Sequence, residues 1–248
     1  MRPPAAITAS HGNIYSPSQH AYCCHRSTES TLIDLDTLVT KAKNEGKVVA
    51  LVLTDMSAAF NLIKKKILLA QLEVCGFDVK SRSMVSSYLS NRRTRCRIKG
   101  CTSGEVELDS GVGEGSVLGP GFFICGMCSV SMVAKRTRLE MAEAGLWIDA
   151  WTLEFADDTS GVLVCDDEAE LQIGVHHMME KFKHYFNSMG MCLNMSKCEL
   201  IVFRSSRKEF ELTLPGGQRE VNCVKLLGLH IDNSYKFTTH TQRKCVRN

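Results

Sequence analysis

No uninterrupted apolar stretch in this 248-residue chain is long enough to cross a membrane, and no apolar signal-peptide core follows Met1 and Arg2. Neither charge sign dominates: 30 Lys and Arg against 27 Asp and Glu leave a net charge of only +3. A balance that close carries no nucleic-acid signal in its total, so any such signal must lie in where the basic residues cluster. Internal repeats and low-complexity linkers are missing. With 44% hydrophobic and 23% charged residues, the chain can bury one substantial core or two small domains sharing a boundary, and it is not a disordered composition. Zinc-site spacing is also missing: Cys125 and Cys128 form a CxxC that no second CxxC or HxxxH follows. The cluster Cys23, Cys24 and His25 could partner it only if the fold brought it close. The 12 cysteines are scattered. They read as reduced thiols of an intracellular protein, nuclear or cytoplasmic, and as small buried hydrophobes.

What is present is a set of basic clusters and a clear order of elements. The clusters are residues 64–66, 92–97, 135–138 and 204–208, with Arg243, Lys244 and Arg247 near the end; each reads equally well as solvated surface. Residues 1–18 are Pro/Ser/His-rich and predict a loose lead-in. Ser27 then caps a helix bearing Leu32, Leu35, Leu38 and Val39, and Gly46 stops it. Residues 48–53 form a continuous Val-rich apolar run, the pattern of a buried strand, which delivers Asp55 at its C-terminal end.

Helical periodicity predicts one helix over 58–74 and another over 79–89. An exposed basic strand follows at 92–99, then a Gly-punctuated loop over 111–121 and an apolar helix around 122–133. Two strand-like runs, 151–155 and 162–165, flank residues 156–161 and read as a hairpin with Asp157 and Asp158 in its turn. Asp166 and Asp167 cap a long amphipathic helix closed by Gly190. Beyond it come a strand at 198–203, a hairpin around Pro215-Gly216-Gly217, and a strand at 224–231. The order is that of an α+β fold.

Asp is common in turns because its side chain bonds the local backbone, so an Asp-Asp pair alone argues for nothing more. The combination is more telling. One carboxylate at the end of a buried strand and two on an adjacent tight turn form a set that could hold divalent ions such as Mg²⁺, which bind hard oxygen donors.

An ordered series of motifs identifies the family. Phe155-Ala-Asp157-Asp158-Thr159 resembles the (Tyr/Phe)-x-Asp-Asp box of reverse transcriptases. Asp55-Met-Ser-Ala-Ala-Phe60 resembles the D-x-S-A-A-F box of LINE-type (non-LTR) retrotransposons, and the loop from Gly111 to Pro120 resembles their G-V-P-Q-G-S-V-L-G-P segment. Gln19-His-Ala-Tyr and Arg26-Ser-Thr-Glu resemble the segment at the fingers–palm boundary. The run from Ser87 to Gly100 resembles the strand that leads into the loop. Leu193-Asn194-Met-Ser-Lys197-Cys-Glu199 and Leu226-Leu-Gly228-Leu-His-Ile-Asp232 resemble the L-N-x-x-K-T-E box and the primer-grip strand.

The resemblance implies a polymerase palm, an antiparallel sheet packed on helices, with partial fingers over residues 19–240 and a truncated start of the thumb at 241–248. It implies RNA-directed DNA synthesis, with Mg²⁺ (or Mn²⁺) as cofactor and an RNA template, a DNA primer and deoxynucleoside triphosphates as partners. Asp55, Asp157 and Asp158 would bind the metal ions, and Lys197 would stand near the pyrophosphate leaving group, its alternative being a surface lysine. Phe60 would be the gate against a ribose 2′-hydroxyl, its alternative a core aromatic. Gly115 and Ser116 would let the backbone approach the nucleotide and Gly228 the primer strand, while Arg92, Arg93, Arg95 and Arg97 would contact the template-primer backbone.

Departures from the family are specific. Asn61 replaces an Asp, Gly113 and Glu114 replace Pro and Gln, and the fingers segment at 22–25 lacks its usual Phe-Arg. These departures, with the expected absence of the thumb, leave an alternative open: a catalytically inactive remnant that keeps the palm and at most binds nucleic acid.

Overall fold

The computed structural model describes residues 16–56, 59–113, 115–204 and 210–236. The first elements are α1 (Thr28–Asn44), β1 (Val48–Thr54), α2 (Ala59–Leu62), α3 (Lys65–Val74) and α4 (Val79–Tyr88). Four short strands follow: β2 (Arg92–Thr94), β3 (Arg97–Ile98), β4 (Cys101–Thr102) and β5 (Val106–Leu108). Then come α5 (Gly119–Gly126), α6 (Met132–Glu143), β6 (Asp149–Phe155), β7 (Asp158–Cys165) and α7 (Glu168–Ser188). β8 (Glu199–Phe203), β9 (Cys223–Leu226) and β10 (Leu229–Asp232) complete the described chain.

Four strands make the central antiparallel sheet, in the order β6-β7-β1-β8. β1 lies inside it, and both of its faces are covered, which is why its sequence is apolar without alternation. Val48, Ala50 and Val52 join the core formed with α3, α5, α6 and α7, where Phe123, Phe182 and Phe186 are fully buried. Val49 and Leu51 point the other way, toward Leu35 and Val39 of α1 and Val224 and Ile231 of the β9–β10 hairpin. The fold is thus α+β, a sheet with helices on one face and a helix plus a small hairpin on the other.

Local chemistry accounts for the element ends. Ser27 and Ser30 form a reciprocal capping box at the start of α1. Asp167 accepts from the Glu170 N–H at 2.9 Å to cap α7. The Arg204 guanidinium, buried on the inner side of its chain, is held by Glu168 at 2.8 Å and Glu220 at 2.8 Å. Among the clustered basic residues, this one therefore serves the fold and not the surface.

Several expectations need correction. The single helix over 58–74 is two, because the loop after β5 takes the backbone groups at the break. Gly111 N–H donates to the Ile63 carbonyl at 2.8 Å and Val112 N–H to the Phe60 carbonyl at 2.9 Å, and Lys64 bridges Ser110. The helix expected around 122–133 ends at Gly126, and a separate helix, α6, follows it. Its basic residues, Lys135, Arg136 and Arg138, hide the apolar stripe Val133, Ala134, Thr137 and Met141 that it buries. The basic strand at 92–99 is broken into β2 and β3, each paired in its own two-stranded ribbon. The strand at 224–231 is a hairpin turning at Leu227 and Gly228. The turn at 156–161 shrinks to Ala156 and Asp157, with Phe155 paired to Asp158. Gly161 is a strand residue: a Cβ there would come within 2.8 Å of Met178 Sδ. Residues 1–15, Glu114, 205–209 and 237–248, where the lead-in, the loop Glu, most of one basic cluster and the thumb start were expected, lie outside the described residues.

Candidate active site

Register brings the carboxylates together. β1 and β7 are central neighbours, with Thr54 opposite Thr159, so Asp55 leaves the sheet beside Asp158 at the start of β7. Thr54 Oγ1 donates to the Thr159 carbonyl at 2.7 Å and locks the two strand ends. A second segment closes on the same corner. Asn194 N–H donates to the Asp55 carbonyl at 2.9 Å, and Leu193 bridges Met56. The short 3-10 turn Met195–Lys197 then places Lys197 Nζ 3.6 Å from Asp55 Oδ2. That pair is exposed and contributes little to stability.

The Asp158 carboxyl is held above the usual carboxylate range, first by desolvation and then by the negative charges of Asp157 and Asp55. The negative charge of Asp157 and Asp55 beside Asp158 is a repulsion that a cation would relieve. Among the described residues, no three His, Cys, Asp or Glu side chains converge tightly enough to form a ready-made metal cage. The zinc arrangement imagined for the cysteines is therefore not formed there. The three carboxylates are hard oxygen donors, the donor type that suits a divalent cation completed by water and substrate oxygens.

The Gly-punctuated loop lies against α2. Gly111 (φ 81°) is required on two counts: φ is positive, and a Cβ would meet the Asn61 Cα and carbonyl at 2.9 Å. Ser116 Oγ accepts from the Gly119 N–H at 2.9 Å and donates to the Gly113 carbonyl at 2.9 Å, so its hydroxyl is engaged in shaping the loop and capping α5. Gly115 (φ 76°) is exposed, with open space where a Cβ would stand. Phe60 is half-buried and stacks on Phe123, ring centroids 4.2 Å apart.

The four arginines are not equivalent. Arg92 turns inward, donating through Nη2 to the Ser110 and Gly111 carbonyls at 2.7 and 2.6 Å, and so braces the loop. Arg93 and Arg95 share Glu105. Arg97 is exposed on β3 with no acidic partner among the described residues. Gly228 (φ 87°) sits at the tip of the β9–β10 hairpin.

Two further residues of the site went unassigned in the sequence. Gln19, within a recognised motif, directs its amide onto the Asp157 turn, bonding the Ala156 N–H at 3.0 Å. Glu154 of β6, 1% exposed, accepts from Ser16 Oγ at 2.9 Å and Thr152 Oγ1 at 3.0 Å. Burial raises its carboxyl to about 7. Nothing local in the sequence marks Glu154 as enclosed: alternation in 151–155 groups it with Thr152, opposite the apolar Trp151, Leu153 and Phe155.

Residues 4–231 match the family described as reverse transcriptase (RNA-dependent DNA polymerase). The retrovirus-related Pol polyprotein from type-1 retrotransposable element R2 of Popillia japonica is 25% identical over 237 residues, covering 89% of this chain; the chain spans 37% of that polyprotein's length. Two telomerase structures from Candida tropicalis superpose on 87% of the chain. The apo enzyme truncated of its C-terminal domain gives a TM-score of 0.54 at 14% identity, with 39% of its length covered. The complex with a fragment of telomeric RNA gives 0.57 at 14%, with 33% covered. At that identity the likeness speaks for the polymerase palm fold alone.

Proposed function

The chain belongs to the reverse transcriptase family, with its sequence relative in a retrotransposable element, and from that premise we propose that it carries the catalytic palm of an RNA-directed DNA polymerase. The observation that carries this reading is the meeting of Asp55, Asp157 and Asp158 at one sheet end, with Lys197 beside them. Divalent metal ions serve this family; bound here, they would activate the primer 3′-hydroxyl and neutralise charge on the leaving pyrophosphate. Asp55 and Asp157 would hold Mg²⁺ (or Mn²⁺), with Asp158 beside them completing the site. Lys197 presents a cation to the leaving group.

Phe60 restricts the sugar pocket, and its stack on Phe123 supplies the rigidity a steric gate needs. Gly115 gives the nucleotide open backbone to approach, with Ser116 holding the loop in shape. Gly228 offers the primer a hairpin tip without a side chain. Arg93 and Arg97, on two separate exposed ribbons, and Arg95 between them are suited to template-primer phosphates, a salt-sensitive and sequence-independent contribution. Arg92 supports them from behind by holding the loop.

Primer extension on poly(rA)/oligo(dT) with Mg²⁺ or Mn²⁺ tests the proposal, beside an Asp157→Asn/Asp158→Asn double variant. Extension by the wild type that falls by at least about 10³-fold in the variant is the expected result. A folded wild type that extends nothing, even with Mn²⁺, overturns it.

A further inference from the structure

The β6–β7 turn has an unusual occupant. A two-residue turn with positive φ at its first position alone ordinarily carries glycine there. Here the residue is Ala156 at φ 56°, and it immediately precedes Asp157. A Cβ-bearing residue in that conformation persists where its surroundings over-determine it.

The surroundings are supplied by Gln19. Its side chain is 1% exposed. Its Oε1 accepts from the Ala156 N–H at 3.0 Å and from the Ala21 N–H at 2.9 Å, and its Nε2 donates to the Ala156 carbonyl at 3.4 Å. Both backbone groups of the strained residue are thus held by one amide. The amide is itself anchored, because the segment runs parallel along β6. His20 N–H donates to the Glu154 carbonyl at 2.9 Å, and Glu154 N–H to the Ser18 carbonyl at 3.0 Å. Arg26 Nη1 donates to the Pro17 and Gln19 carbonyls at 2.6 Å each. The His20 ring lies 2.6 Å from Ser30 Oγ and 3.1 Å from Asp34 and so ties the segment to α1.

We propose that Gln19 is a positioning residue for the metal-binding pair: it clamps Ala156 in its left-handed conformation and thereby fixes where Asp157 and Asp158 stand relative to Asp55. The inference rests on the polymerase reading of that site. Its physical basis is that a buried, doubly satisfied amide holds geometry more tightly than its modest net free energy suggests, and that small misplacements in a catalytic constellation are costly.

The test uses Gln19→Met, which keeps length and packing but removes the hydrogen bonds, and Gln19→Glu, which keeps the acceptor and loses the donor. Amide hydrogen exchange at Ala156, Mn²⁺ binding by EPR, melting temperature and steady-state primer extension are measured on the full chain. In Gln19→Met, exchange at Ala156 rises about 10-fold or more. Mn²⁺ binds more weakly, and kcat falls about 10- to 100-fold with KM for the deoxynucleotide within about 2-fold. Gln19→Glu falls between the two. Unchanged Mn²⁺ binding and kcat despite faster exchange at Ala156 overturn the proposal, as does a loss that only tracks a lowered melting temperature. If wild type fails to extend, the polymerase reading falls, and the exchange and Mn²⁺ measurements still decide the clamp. If Gln19→Met does not fold, Gln19→Glu is judged by the same readouts.

Discussion

Three hairpins among the described residues turn on two residues each, and all begin the turn with a side-chain-bearing residue at positive φ: Ala156 at 56° between β6 and β7, Leu227 at 47° between β9 and β10, and Lys99 at 47° between β3 and β4, where Gly100 follows it. The second is self-sufficient. Gly228 follows Leu227 at φ 87°, so both turn residues are left-handed, the arrangement whose twist suits antiparallel strands, and nothing stands within 4 Å of where a Gly228 Cβ would be. The first is not self-sufficient. Its second residue is Asp157, and the turn depends on an amide from residue 19, 137 positions away in the chain. A local turn follows from local residues. A turn that must present carboxylates cannot carry glycine and small residues alone, so its support comes from elsewhere.

Three further substitutions probe that contrast. Glu154→Gln, on the strand entering the braced hairpin, should have the largest effect on stability. Its folded carboxyl is raised by burial from 4.5 to about 7, so the folded state keeps a proton that the unfolded chain has lost. Stability therefore falls as pH rises from the unfolded value through about 7 and is level above that. The variant should lose this slope and be more stable than wild type at alkaline pH by about 2 kcal/mol, read by chemical denaturation across pH. A parallel pH dependence in wild type and variant would remove the buried acid from the account.

Gly228→Ala should cost about 1 kcal/mol, the penalty of a Cβ at left-handed φ with no clash to add to it. The loss should be confined to the β9–β10 hairpin, visible as faster exchange there and not in β6–β7. Ala156→Gly should change stability least, within about 0.5 kcal/mol, because relief of strain offsets the greater entropy of the unfolded chain. In the Gln19→Met background the same change should recover part of the lost kcat. Without that recovery, the brace does not act through the Ala156 backbone.

Much of the site could be read beforehand, because its parts are local. The apolar run ending at Asp55, the Asp pair in a hairpin, the Ser27 cap and the Asp167 cap all follow from residues adjacent in sequence. The misreadings have a common origin. The helix over 58–74 is interrupted because the distant residues 110–112 take its backbone hydrogen bonds, which periodicity cannot register. Arg92 looked like its basic neighbours but faces inward onto two carbonyls. The sequence of α6 hides its buried stripe behind Lys135, Arg136 and Arg138, and packing against α7 and β6 reveals it.

The order of residues alone was enough for the family, the α+β order, the strand that carries Asp55 and the hairpin that carries Asp157 and Asp158. Each of these depends on hydrophobic period, turn chemistry or an ordered motif within a few residues. Tertiary structure was needed to show which groups act together: Thr54 opposite Thr159, Lys197 beside Asp55, Glu154 enclosed, and Gln19 on the back of Ala156. Strand register and long-range hydrogen bonds set those neighbours, and they arise when the sheet closes, between residues that share no local pattern.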